Sequence, residues 1–251
     1  EAVAGSADEM IEHMNERAKE LGMTGTKYTT VNGLPPKRGK GFDVSTAADL
    51  GILARELVKH PAILLVTSQS EVTFRTDKVR LHNTNHLVGR TPGVDGLKTG
   101  YVRLAGFNLI ATAKREDMRL IAIVLGCPTL RSRFRMAEDV LEWGYANYSR
   151  FELVKAGEPL AIDVRVQNGA TASVRPVAGR GSAFLIRKGE EKEIEVSFQV
   201  PATIVAPIVA NQPLGEIIVR EGQEIVAIIP AVSPTAVSGI AAAAEGSAGG
   251  R

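Results

Sequence analysis

Two apolar runs, Ala105 to Ala113 and Arg119 to Gly126, lie next to each other with only a short charged turn at Glu116-Asp117 between them. Neither keeps the apolar/polar alternation of a half-solvated strand, so they read as a hairpin of central strands covered on both faces. Such a sheet needs helices laid on it, and the sequence supplies them. Ser6-Ala7-Asp8-Glu9 is a Ser-x-x-Glu capping box. Met10, Met14, Ala18 and Leu21 follow at helical spacing, with Gly22 as the stop. Those methionines belong to an apolar core stripe. Thr46, with Asp49 three residues on, caps a second helix that buries Leu50, Leu53, Ala54 and Leu57 and ends at Pro61. A third helix runs from Leu130 to Tyr148 with Phe134, Ala137, Val140, Leu141 and Tyr145 facing inward. Glu71 to Arg75 alternates as a strand does, while Ala62 to Val66 is too short for its period to decide between helix and strand. Antiparallel strands with helices packed on them make an α+β layered domain.

The pattern changes near Phe151. From Pro159 onward the chain shows short alternating segments separated by turn residues: Leu160 to Val166, Ser173 to Val177, Ile194 to Val200, and Ile217 to Val219 and Ile225 to Ile229 around Glu221-Gly222. Strands at this spacing with no helices between them predict a small all-β sandwich. At 251 residues the chain has room for two such domains. The expected division is 1–150 for the first and 151–232 for the second, with the boundary in Arg150 to Gly157. The segment 233–251, rich in Ala, Gly and Ser, is expected to be a disordered tail.

Several function classes are disfavoured. A net charge of +2 does not provide the concentrated basic face that phosphate contacts require, so no nucleic-acid partner is expected. Arg131, Arg133 and Arg135 form a short basic run whose plain reading is a solvated helix face. Lys37, Arg38 and Lys40, in the turn-rich stretch after Asn32-Gly33 and Pro35-Pro36, are likewise expected in solvent. Cys127, the single cysteine, cannot form an internal disulfide and follows an apolar run, which predicts a packed thiol. His82 and His86 are four apart, but in a strand-or-loop stretch with no Glu between them, so they are expected to be cleft-lining or surface groups and not metal ligands. Gly179-Arg180-Gly181 lacks the third glycine and the βαβ setting of a dinucleotide loop. No apolar stretch approaches the ~20 residues of a membrane span.

One stretch carries chemistry. Val94-Asp95-Gly96-Leu97-Lys98-Thr99-Gly100-Tyr101 reads as an exposed strand holding a Lys-Thr-Gly triplet. Lys98 supplies a compact cation with three donors, and Thr99 a hydroxyl for a carboxylate or acyl oxygen. Gly100, having no Cβ, allows another backbone to come close. The plainer alternative is a lysine that merely keeps an edge strand from aggregating.

With Leu81-His82-Asn83-Thr84-Asn85-His86 before the triplet and Ala105-Gly106-Phe107-Asn108 after it, the chain resembles the low-molecular-mass penicillin-binding proteins, specifically the D-alanyl-D-alanine carboxypeptidases. The resemblance runs from Glu1 to about Pro230. It implies a transpeptidase-like α+β domain, present in part, followed by an all-β domain, and no cofactor or metal. The implied substrate is a peptidoglycan stem peptide ending in D-Ala-D-Ala, with β-lactams as inhibitors and the periplasm as the location. Lys98 and Thr99 would bind the terminal carboxylate, in a cleft whose unpaired strand edge accepts an extended peptide. Tyr101 would lend its backbone N–H to the oxyanion. Arg133, in Gly126-Cys127-Pro128-Thr129-Leu130-Arg131-Ser132-Arg133, would lie near the carboxylate, with Arg131 as the alternative.

The sequence departs from the family at several points. Val102 stands where the family often has Thr, and Val31-Asn32-Gly33-Leu34 matches an Asn-Pro-x-Gly-Leu segment only in part. No Ser-x-x-Lys and no Ser-x-Asn occurs anywhere in these residues. Tyr145-Ala146-Asn147 imitates a variant of the latter but lies on a helix after the triplet. The expectation is therefore a chain that starts just after the second catalytic element and is inactive alone. A family-type anchoring helix is not expected, because the tail has no charged face. Two other functions fit the same pattern: a β-lactamase of the same superfamily, and a non-catalytic protein that binds peptidoglycan or an envelope partner.

Overall fold

A computed structural model describes residues 3–35, 41–75, 79–190 and 194–240, which fall into two units, Glu1–Asn147 and Tyr148–Arg251. The expected solvent position of Lys37, Arg38 and Lys40 falls outside the described residues.

In the first unit Ser6 caps helix α1 (Ala7–Glu20), its side chain accepting from the Glu9 N–H at 3.1 Å, and Thr46 caps α2 (Ala47–Leu57) in the same way through Asp49. Pro61, read as the stop of α2, instead opens a separate helix α3 (Pro61–Thr67). Its fixed φ suits a first helical position, where a missing N–H costs nothing. The undecided run Ala62 to Val66 lies within that helix. Strands β1 (Glu71–Phe74) and β2 (Val79–His82) form an exposed hairpin.

The organising element is an antiparallel meander of β3 (Val94–Val102), β4 (Gly106–Arg115) and β5 (Met118–Cys127), in the order β3-β4-β5. Among the described residues β4 is therefore the central strand, and β5, expected inside a sheet, is an edge. The register pairs Leu109 with Val124 and Ala111 with Ala122, so one face carries a row of small and branched apolar residues. Helix α4 (Leu130–Asn147) lies on this face, burying Ala137 and Leu141 against Leu109, Ala111, Ala113, Ala122, Val124 and Cys127. The approach is close, since a Cβ on Gly144 would stand 2.6 Å from Leu120 Cδ1. Cys127 is buried in this core, as expected of a packed thiol. Val140, expected on the inner face of this helix, is exposed, and Tyr145 instead anchors the helix by donating to the Ala113 carbonyl at 2.7 Å.

The second unit is all β. Its strands are β6 (Tyr148–Val154), β7 (Val164–Gln167), β8 (Ser173–Val174), β9 (Val177–Ala178), β10 (Ser182–Arg187), β11 (Ile194–Gln199), β12 (Thr203–Val205), β13 (Pro213–Glu221) and β14 (Glu224–Val232). They form a four-stranded sheet β11-β13-β14-β9, a three-stranded sheet β12-β7-β8 and the pair β10-β6. One core gathers Ile217, Val219, Ile229 and Ala231, and another Val164, Val166, Ile208, Leu214 and Val237. Residues 148–154, expected to straddle the boundary, are strand β6, paired with β10 from Tyr148↔Arg187 onward. Ser233 to Ile240, expected in a disordered tail, are folded. Ser233 and Val237 are buried, Val237 exchanges backbone hydrogen bonds with Ile208, and the Ile240 N–H donates to the Asn168 carbonyl. Small residues make up most of that stretch, but Val237 gives it an apolar anchor and its backbone supplies the pairing. The rest of the expected tail, 241–251, lies outside the described residues.

Candidate active site

The Lys-Thr-Gly triplet sits in the middle of β3, on the side of the meander that no other described strand pairs. Side chains from the segment before β3 hold that strand. Thr67, at the end of α3, donates through Oγ1 to the Asp95 carbonyl at 2.7 Å. Asn85, only 2% exposed, donates through Nδ2 to the Gly96 carbonyl at 2.8 Å and accepts the Leu87 N–H on Oδ1 at 3.2 Å. Asn83 in turn accepts the Asn85 N–H at 2.9 Å and donates to the Thr67 and Gln69 carbonyls at 2.9 and 2.8 Å. The 83–87 stretch is thus a pair of consecutive Asx turns: Asn85 bonds the first half of β3 directly, as Thr67 does, and Asn83 ties the stretch back to Thr67 and Gln69. Space is tight there. A Cβ on Gly96 would lie 2.8 Å from Thr67 Oγ1.

The triplet itself is open. Lys98 is exposed, and its ammonium donates to the Thr99 carbonyl beside it. Thr99 is 8% exposed and its Oγ1 lies 2.8 Å from Thr84 Oγ1. Gly100 is not required by packing, because the nearest atom a Cβ there would meet is Asn108 Cβ at 4.0 Å. The bare position borders open space, where a bound group can approach. Tyr101 is exposed, with its ring tilted on Phe107 at 4.3 Å between centroids.

Arg133 corrects the solvated-face reading of the basic run. Arg131 and Arg135 are exposed, whereas Arg133 is 4% exposed and points under the sheet. Its guanidinium carbon lies 4.5 Å from the Phe134 ring centroid and 5.7 Å from that of Phe107. Nη1 donates at long range to the Gly100 and Asn108 carbonyls, 3.4 and 3.3 Å away. Nε has no hydrogen-bond partner among the described residues. Burial lowers its pKa from the ordinary arginine value, partly opposed by the nearby Cys127 thiol, and the group remains a cation. A buried guanidinium therefore lies two residues along from Lys98, and no carboxylate faces it among the described residues.

On the opposite face of the sheet Arg119 makes a two-pronged pair with Asp95 at 2.8 and 2.7 Å and donates to Thr112 at 2.7 Å, tying all three strands together just before the triplet. His86 stacks on Phe134 at 4.8 Å, and His82 lies at the surface, 3.5 Å from Glu71. Sequence reasoning brought out Lys98, Thr99, Gly100, Tyr101 and Arg133 but assigned nothing to Thr67, Thr84, Asn85, Asp95 or Arg119. The signal for Asn83 and Asn85 was available, since asparagines two apart before a strand are a turn signature.

Comparison with known proteins gives this geometry a family. Residues 1–129 match the family model described as D-alanyl-D-alanine carboxypeptidase, and residues 148–238 match the C-terminal domain of penicillin-binding protein 5. The chain is 33% identical over 234 residues to D-alanyl-D-alanine carboxypeptidase DacF of Bacillus subtilis, covering 92% of this chain but only 59% of that relative's length. Penicillin-binding protein 5 from Haemophilus influenzae superposes with a TM-score of 0.71 at 28% identity, over 94% of this chain and 68% of that one. Penicillin-binding protein D2 from Listeria monocytogenes, in its cefotaxime-bound form, is 38% identical over 54% of each chain with a TM-score of 0.50. With the first model covering 129 of its 251 residues and the second most of the remainder, the chain belongs to the D-alanyl-D-alanine carboxypeptidase family of penicillin-binding proteins.

Proposed function

We propose that this chain is the carboxylate-recognising part of a serine-type carboxypeptidase that removes the terminal D-alanine from peptidoglycan stem pentapeptides at the bacterial cell envelope, in the periplasm. One observation carries the reading: a strand edge that no other described strand pairs presents Lys98 and Thr99 beside an open Gly100, with the buried guanidinium of Arg133, which no described carboxylate faces, bonded to the Gly100 carbonyl. Two cations and a hydroxyl around one open position suit a peptide's terminal carboxylate. In this reading Lys98 and Thr99 hold that carboxylate, and Arg133 adds charge from beneath. Gly100 leaves room for the substrate backbone, and the Tyr101 N–H helps to stabilise the oxyanion.

A serine hydroxyl in the family's Ser-x-x-Lys element attacks the carbonyl of the penultimate residue, giving its proton to a neighbouring base. The peptide C–N bond breaks, free D-alanine leaves with a proton, and water then hydrolyses the acyl-serine ester. β-Lactams, which carry a carboxylate beside a reactive amide, occupy the same place. These 251 residues contain no Ser-x-x-Lys, so taken by themselves they fit a non-catalytic binding role.

The test is labelling with a fluorescent penicillin. The 251 residues alone should give no covalent band, and a version lengthened at its N-terminus with a relative's Ser-x-x-Lys and Ser-x-Asn segment should give one. A band at the mass of the unextended chain would refute the assignment of the nucleophile, and an unlabelled lengthened version would refute the family mechanism for this sequence.

A further inference from the structure

Arg133 is a buried cation held without a counterion. Its two hydrogen bonds, 3.4 Å to the Gly100 carbonyl and 3.3 Å to the Asn108 carbonyl, are longer than the usual range of about 2.7–3.2 Å. Among the described residues no carboxylate acts on its charge. What it has is aromatic surface: the guanidinium carbon stands 4.5 Å from the centroid of the Phe134 ring and 5.7 Å from that of Phe107. The nearer contact does not follow from adjacency in sequence. Consecutive positions on a helix diverge by roughly 100° and do not face each other, so the Arg133 side chain has to bend across its neighbour to reach the ring. That ring is itself fixed. Phe134 packs on the core of the first unit, and the His86 imidazole stacks on it at 4.8 Å with 19° between the planes.

We propose that Phe134 is the positioning residue of Arg133: its ring, with that of Phe107, holds the guanidinium against the triplet strand in the place a carboxylate would otherwise take, and so keeps the positive charge available to an arriving anion. The inference rests on the carboxylate-site reading above and adds to it a residue that acts through Arg133. An aromatic face attracts a cation through its quadrupole, most strongly where both are shielded from water, and carries no net charge of its own. A carboxylate in the same place would also orient the guanidinium. It would cancel the charge, however, and the ligand would have to compete with it. Ring contact separates the two effects, giving orientation without neutralisation, and the result is a site that favours an anionic terminal group over a neutral one.

The experiment is an amide-resolved NMR titration of the 251-residue chain with N-acetyl-D-alanyl-D-alanine and, separately, with its C-terminal amide. The unsubstituted chain should bind the acid more tightly than the amide. Phe134→Leu, which removes the ring and keeps an apolar side chain, should weaken acid binding about tenfold and leave amide binding unchanged. Phe134→Tyr, which keeps the aromatic face, should stay within about twofold of the parent chain. Arg133→Met controls for the charge itself, and in that background Phe134→Leu should change acid binding by less than about twofold, since the group it acts through is gone. Should the leucine variant not fold, Phe134→Met makes the same comparison. If Phe134→Leu binds the acid as the parent does while Arg133→Met loses it, the carboxylate site stands and the role of Phe134 is wrong. Equal losses for the Leu and Tyr variants, or a loss that persists undiminished in the Arg133→Met background, also overturn it, because packing and not the ring's hold on Arg133 would then matter. If the parent chain binds neither ligand, or binds both equally, the carboxylate-site reading fails and the positioning role with it.

Discussion

Arg133→Met is expected to raise the melting temperature of the first unit while cutting the rate of acylation by benzylpenicillin about 30-fold in the N-terminally lengthened version. The two effects have one cause. Arg133 is 4% exposed, its Nε is unpartnered among the described residues, and its two hydrogen bonds to backbone carbonyls are 3.3 and 3.4 Å long. A buried cation with so little compensation costs stability, and replacing such a group with a well-packed apolar residue is often neutral or stabilising. Methionine suits the slot beside Phe107 and Phe134 because its flexible thioether packs well on aromatic rings. A gain of about 1 kcal/mol would shift the transition by roughly 2–4 °C. The functional loss follows from withdrawing a desolvated charge that faces an anionic ligand, worth about 2 kcal/mol. Thermal unfolding by circular dichroism and stopped-flow acylation measure the two quantities on the same samples. A variant that loses stability and keeps its acylation rate would make Arg133 a purely structural residue.

Asn85→Ala is expected to destabilise the first unit by about 3 kcal/mol, the largest effect of any polar substitution in it. The side chain is 2% exposed and satisfies two buried backbone groups, the Gly96 carbonyl at 2.8 Å and the Leu87 N–H at 3.2 Å. Alanine leaves both without a partner, and each buried orphan costs about 1–3 kcal/mol. Asn83→Ala, at a more exposed position, should cost about 1 kcal/mol on the same scale. Urea unfolding followed by tryptophan fluorescence reads both, Trp143 in α4 being the reporter. A loss below about 1 kcal/mol for Asn85→Ala would mean that the Asx turns do not hold β3.

The two N-terminal caps were legible because a capping residue and an apolar period agree locally, as at Ser6 and Thr46. Helix α3 was not, since Pro61 can either close one helix or open the next, and only the packing of the following turn decides. The hairpin of β4 and β5 was readable from its apolar content, but which strand is central depends on β3, whose pairing is long-range. Arg133 illustrates a signal that was overlooked. Residues two apart on a helix point roughly 200° away from each other, so Arg131, Arg133 and Arg135 cannot share one face. Arg133 is the one in phase with Ala137 and Leu141, the buried stripe of α4. The folding of Ser233 to Ile240 was hidden because backbone pairing with Asn168 and Ile208 needs little from the side chains. The roles assigned to the triplet came from family resemblance. Its strand position and the openness around Gly100 could come only from the fold.

The central claim is that this strand edge recognises a free carboxylate, and one comparison addresses it directly: acylation of the lengthened version by benzylpenicillin against its methyl ester, with and without Lys98→Ala. The account predicts that the unsubstituted protein prefers the acid by about 1,000-fold, with Lys98 and Arg133 each contributing roughly 2 kcal/mol of charge-assisted bonding, and that Lys98→Ala lowers the ratio to about 30. Equal rates for acid and ester in the unsubstituted protein, or a preference that survives Lys98→Ala intact, would contradict it.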